Sequence, residues 1–239
     1  SVQDIDFSLF KPYISEFISK DIRDFSGHGT LFIMPSGNTQ NSITFKLNTS
    51  DLFIKIYKNK HDNFINIKDK ADILLAARFK KKELIVDDFS FQKNKINITA
   101  KGTIKNITKN FNSINPDIVL KIKNSSLAEG LKTAPDYLFK MQQDYIPLLK
   151  KYNANGIVNG EFRVKDRVRF PNMYGYIKLD DVYLLERPKN AKTSSGEVLF
   201  DGSDVTININ ANCPNNQKVI VKGRTEIKEV PFAKFDIQS

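Results

Sequence analysis

Few residues of this chain stand at spacings that support chemistry. Its two histidines, His28 and His61, are far apart, with no His, Cys or carboxylate set at a metal-ligand spacing. They read as exposed loop residues rather than ligands. The single cysteine, Cys213, precedes Pro214 and has no histidine to activate it, so it reads as a small buried residue. Asp87-Asp88 and Asp180-Asp181 are carboxylate pairs in the sequence. Adjacent residues of a strand point to opposite faces, however, so neither pair is placed to share a proton or a metal. Gly27-His28-Gly29 is too short for a phosphate loop, and there is no GxSxG, P-loop or HExxH. Gly156 and Gly160 have the spacing of a membrane-helix dimer motif but fall in a strand pattern with charges nearby. These residues give a non-enzymatic reading with no cofactor and no metal.

The basic residues form the one ordered polar series. Arg163, Lys165, Arg167 and Arg169 recur at every second position, alternating with Phe162, Val164, Val168 and Phe170, and Asp166 interrupts them. In a regular strand this gives a cationic face opposite an apolar one. Such a face suits nucleic-acid phosphates or anionic lipid headgroups. The plainer reading is the solvated side of a strand whose other side is buried. Nucleic-acid readers of the OB or RRM type carry aromatic and basic side chains on one face. Here the aromatic residues fall opposite the charges, so no nucleic-acid partner is expected.

The elements that must position these residues are mostly strands. Residues 8–22 carry a helical stripe, Phe10, Tyr13, Ile14, Phe17 and Ile18, with Ser8 as N-cap. From Gly27 the apolar period becomes two. Ile43, Phe45 and Leu47 alternate with polar residues, as do Leu52, Ile54 and Ile56, and short strands follow over 64–68, 72–79, 83–91 and 95–100. Breaks this short mean an antiparallel meander, because parallel strands need long crossovers. Two more strands are expected between 102 and 122, separated by a turn at Asn115-Pro116. Ser126-Leu127-Ala128-Glu129 has the form of a capping box opening a helical segment over about 126–152. Tyr137, Met141, Tyr145, Leu148 and Tyr152 continue its stripe, and Gly156 suits its left-handed end. Strands then run to the C-terminus, the cleanest alternation being 205–211. Possible sub-units are therefore 1–124 and 125–239, the second opened by the helix.

More than a dozen one-faced strands against two helical segments is the main physical clue. Apolar surface left in water costs about 25 cal/mol per Å², and two helices cannot cover that many strands. Either the sheet closes on itself as a sandwich or barrel, or its uncovered face holds an apolar ligand. Architecture alone favours the closed sandwich. The formal charge of +10 is weak evidence for a polyanionic partner, because the Lys, Asn and Ile content beside 18 Phe and no Trp points to a compositional bias that enriches lysine. The longest apolar runs fall short of the ~20 residues that span a bilayer. The chain reads as a segment of a longer protein whose targeting signals lie outside it.

Several motifs in order resemble those of a known family. Gly160-Glu-Phe-Arg-Val164, then Phe170-Pro171, then Gly175-Tyr-Ile-Lys-Leu-Asp-Asp-Val182 resembles the recurring pattern of AsmA-like proteins, the group of TamB-type and YhdP-type bridges. Asn97-Ile-Thr-Ala-Lys-Gly102-Thr-Ile, Pro116-Asp-Ile-Val-Leu-Lys-Ile-Lys and Ile5-Asp-Phe-Ser-Leu-Phe-Lys-Pro12 are similar to other parts of it. The resemblance implies a mainly β fold, a long curved antiparallel meander forming a U-shaped apolar groove. It implies phospholipid as partner, a periplasmic location and an inner-membrane anchor outside this segment. It also implies an outer-membrane partner and lipid transfer in support of outer-membrane homeostasis. Groove positions would be Ile43, Phe45, Leu47, Leu52, Ile54, Ile56, Ile96, Ile98, Ile118, Leu120, Ile122, Phe162, Val164, Val168, Val205, Ile207 and Ile209. Arg163, Lys165, Arg167 and Arg169 would form the outer or headgroup face. The competing expectation is a closed β-sandwich module that binds an anionic partner through that basic face.

Overall fold

The computed structural model describes residues 2–10, 22–35, 42–58, 61–67, 71–80, 83–106, 113–133, 154–166, 171–183, 193–212, 217–227 and 234–238. At 22–25, 33–35, 42–47, 52–58 and 61–67, among others, only the backbone is described. The strands are β1 (Val2–Asp6), β2 (Ile22–Pro35), β3 (Ser42–Lys58), β4 (His61–Ile67), β5 (Ala71–Lys80), β6 (Glu83–Lys93) and β7 (Ile96–Lys105). They continue as β8 (Asn115–Ser126), β9 (Asn155–Asp166), β10 (Pro171–Tyr183), β11 (Ser194–Gly202), β12 (Asp204–Asn212), β13 (Lys218–Glu226) and β14 (Lys234–Gln238). A 3-10 turn, Phe7–Phe10, and one helix, α1 (Leu127–Thr133), complete the described elements.

All the strands belong to one antiparallel sheet. Thirteen lie side by side in chain order, and β4 pairs with β3 off that path. Strand β3 is long enough to serve two partners on one edge, β5 along Ser42 to Thr49 and β4 along Leu52 to Lys58. The first and last strands of the path do not pair, so the sheet is not closed into a barrel. Helix α1 contacts β8 and β9 and also β4, although β5, β6 and β7 separate β3 from β8 in the sheet.

Alternation explains the strands, and single extra residues explain how they stay in phase. In β3 the apolar positions switch from odd (Ile43, Phe45, Leu47) to even (Leu52, Ile54, Ile56). His28 pairs with Asp51 and Gly29 with Thr49, which leaves Ser50 as the extra residue. A one-residue insertion restores the face that a change of parity would lose. Thr49, almost fully buried, donates its hydroxyl to the His28 and Asp51 carbonyls (2.9 and 3.1 Å), and the Asp51 carboxylate accepts from the His28 amide (2.8 Å). The same device recurs in β6 between Val86 and Phe89, in β8 between Ile122 and Ser125, and in β10 between Leu179 and Val182.

Several expectations are corrected by this geometry. His28 lies within β2, not in a loop, because Gly27 and Gly29 are strand residues facing β3. Residues 96–105 form one strand that passes through Gly102, and Asn115-Pro116 opens β8 instead of forming a turn. The bulge in β6 breaks alternation, so Asp87 and Asp88 both reach cations on the polar face, Arg78 and Lys101. Asp6, not Ser8, caps the first turn, its carboxylate accepting from the Ser8 amide at 2.8 Å. The capping box is half formed. The Glu129 amide donates to the Ser126 hydroxyl at 3.3 Å, but the Ser126 amide goes to the Lys95 carbonyl at 2.7 Å, leaving the Glu129 carboxylate to Asn94 and Lys132. Gly156 is a residue of β9, not a helix end. Most of the expected helical residues, 11–21 and 134–153, lie outside the described residues.

Candidate functional site

The register builds one apolar face across the whole sheet. A row passes through Val2, Leu31, Leu47, Ile73, Phe91, Ile98, Ile122, Gly160, Ile177, Val198, Ile207, Gly223 and Phe235, one residue from each strand of the path. A parallel row runs from Ile33 through Phe45, Leu75, Phe89, Ala100, Leu120, Phe162, Gly175 and Phe200 to Val205. A third joins Ile43, Ala77, Val86, Gly102, Ile118, Val164 and Met173. Eleven of the expected groove residues lie in these rows, whereas Ile96 pairs with Lys93. Leu52, Ile54 and Ile56 pair with Gly27, Phe25 and Ile22, and Ile209 with Gly196 and Val221. Val168 lies outside the described residues, as do Arg167 and Arg169. The expected set omits Ile73, Phe91, Ile177, Val198 and Phe200, although the alternation of their strands carries the same signal.

Among the described residues this face is only partly covered. Ile96 and Val205 are buried at 5% and 7% exposure. Ile98, Ile118, Leu120, Ile122, Phe162, Val164, Ile207 and Ile209 are half-buried. In a sandwich core, facing side chains from a second sheet would seal these positions; the described strands supply no second sheet. Glycines lie on the apolar side too. At Gly175, φ is 131°, and an added Cβ would stand 2.2 Å from the Glu161 carbonyl oxygen. The neighbouring Phe162 and Phe200 rings meet beside it, centroids 5.7 Å apart.

The opposite face is polar and largely matched in charge. One of its rows reads Thr99, Lys121, Glu161, Tyr176, Leu199, Thr206 and Arg224. Cross-strand ion pairs join Arg78 to Asp87, Lys121 to Glu161, Lys178 to Glu197 and Arg224 to Asp204. Arg163 binds Asp117 through two hydrogen bonds of 2.6 and 2.8 Å, which hold the Asp117 carboxyl below its ordinary value. The first residue of the basic series is therefore engaged within the sheet. Lys165 stands over the Tyr174 ring at 6.0 Å, and Lys178 over Tyr176 at 5.4 Å. Here the within-strand reading needs correcting. Phe162 and Val164 do oppose the charges, but β10 places Tyr174 opposite Arg163 and Tyr176 opposite Glu161 on the charged face. Both tyrosines are exposed.

Among the described residues, no group of three or more His, Cys, Asp or Glu could hold a metal ion. His28 sits against Asp51, its Nδ1 3.3 Å from the carboxylate. No helix of the described residues is long and apolar enough to cross a membrane. The fold thus defines a single-sheet antiparallel meander that is not closed into a barrel. No protein-family model matches the chain, and neither the curated proteins nor the solved structures yield a match.

Proposed function

We propose that the chain is a non-enzymatic lipid-binding and lipid-transfer segment whose apolar face receives phospholipid acyl chains. The observation that carries this reading is the apolar row across thirteen strands, with no second sheet among the described residues to cover it. The contact of α1 with both β8–β9 and β4 supports a sheet curved into a trough. The order of the AsmA-like motifs supports the same shape and, with it, a place between the inner and outer membranes. Fully burying a sixteen-carbon chain gains about 13 kcal/mol at ~0.8 kcal/mol per CH₂. A lipid in a bilayer already has that gain, so moving it onto a long apolar face is close to an exchange. That suits a conduit and requires no catalytic residue.

A fluorescent fatty-acid probe tests the reading on protein purified without detergent. Saturable binding is expected, weakened at least tenfold by Ile122→Asp with Ile207→Asp and unchanged by Thr206→Asp on the polar face. Absence of probe binding to the wild-type chain overturns it. The alternative, an anionic partner held by the basic strand face, is disfavoured by the Arg163–Asp117 pair.

A further inference from the structure

At the ends of β7, β8, β9 and β10 the sheet opens into a cleft of about 680 Å³. Two lysines, Lys95 and Lys123, line it together with the asparagines Asn94, Asn97, Asn124 and Asn155. Elsewhere on the polar face Lys101, Lys121, Arg163 and Lys178 each stand against a carboxylate. The Lys95 and Lys123 ammonium groups have no ion-pair partner among the described residues. Two unmatched cations in one cleft create a positive field that a dianionic or monoanionic oxygen cluster would satisfy.

The walls are held in place before any ligand arrives. The Lys95 carbonyl accepts from the Ser126 amide at 2.7 Å, and the Asn97 amide donates to the Ser125 hydroxyl at 2.9 Å. The Asn124 amide donates to the Asn159 side chain at 2.8 Å. Asp181, also in the lining, accepts from Thr193 at 3.0 Å and supplies one negative charge at the side of β10. Two further lining residues, Ile96 and Gly156, stand two and four positions from Ile98 and Gly160 of the apolar row, and so by alternation on the same side of β7 and β9. The cleft therefore lies on the rim shared by the polar and apolar faces.

We propose that this cleft is a phosphate-ester site that seats a phospholipid headgroup. The phosphate lies between Lys95 and Lys123, with carboxamide N–H groups donating to its non-bridging oxygens. The cationic or hydroxyl end of the headgroup turns to Asp181. The proposal rests on the lipid reading, because the shared rim is what lets one molecule fill both the cleft and the apolar face.

Titration calorimetry with short-chain dihexanoyl phosphatidylethanolamine below its micelle concentration, glycerophosphoethanolamine and inorganic phosphate tests it. The fatty-acid probe is run in parallel on the wild-type chain. The short-chain lipid is expected to bind at least tenfold more weakly to Lys95→Glu/Lys123→Glu, with binding restored in Lys95→Arg/Lys123→Arg and unaffected by Lys222→Glu on β13. Unchanged lipid binding in the glutamate variant, with the acyl probe still bound, overturns the headgroup site and leaves the lipid reading standing. If the two soluble phosphates bind as tightly as the lipid and the acyl probe does not bind, the lipid reading falls. The cleft is then a site for free phosphate esters, and the headgroup assignment is overturned with it.

Discussion

Gly175 and Gly196 occupy the same face of neighbouring strands under different constraints. At Gly175, φ is 131° and an added Cβ would stand 2.2 Å from a backbone oxygen. At Gly196 nothing lies nearer than 3.5 Å. Gly175→Ala is expected to cost more than about 2 kcal/mol in chemical denaturation, because strain and a backbone clash act together. Gly196→Ala should stay within about 1 kcal/mol of wild type. Equal effects at both sites would contradict the close approach of β9 to β10. The ion pairs set a second residue-scale expectation. Hydrogen bonds from Arg78 and Arg163 lower the carboxyl values of Asp87 and Asp117 from 3.8. A depressed folded-state value stabilises the fold above the unfolded value and is lost as pH falls through the folded one. Stability should therefore be flat down to about pH 5 and decline below 3.8, modestly because both pairs are exposed. Asp117→Asn should remove part of that acid sensitivity, and a decline at neutral pH would contradict the assignment. Neither pair was legible in the sequence. Asp117 and Arg163 stand 46 positions apart, and only the register of β8 on β9 brings them together.

At the scale of the element, the faces of the strands were legible because alternation is local. The switch of parity in β3, from Leu47 to Leu52, records a bulge in the sequence itself, and the register places the extra residue at Ser50. Deleting Ser50 should turn the second half of β3 by one residue and expose its apolar positions. Hydrogen exchange is expected to show lost protection in 52–58 and in β4, with β10 and β11 unaffected. Retained protection in β4 would contradict the bulge. What alternation does not carry is the neighbour across the strand. Tyr174 and Tyr176 look unremarkable within β10, and they join the charged face only because β9 pairs beside them. The half-formed capping box has the same origin. Ser126 and Glu129 have the spacing of a reciprocal pair, but the Lys95 carbonyl and Asn94 of the β6–β7 hairpin compete for them.

At the scale of the molecule, the excess of one-faced strands over helices pointed to two solutions, a sheet closed on itself or a sheet covered by ligand. The meander order and unpaired end strands show a sheet that is not closed into a barrel. Where its side chains are described, the apolar face is mostly half-buried, with Ala77, Val86, Ile96, Ala100 and Val205 buried. The central claim is that lipid covers it, and adjacent residues of β8 offer the most direct test. Ile122 lies in the apolar row and Lys121 in the polar one, one position apart. A photoreactive benzoylphenylalanine at each site, illuminated in cells and read by mass spectrometry, reports what touches each face. Phospholipid adducts at position 122 and none at 121 are the predicted result. Adducts at neither position, or equally at both, would contradict the account.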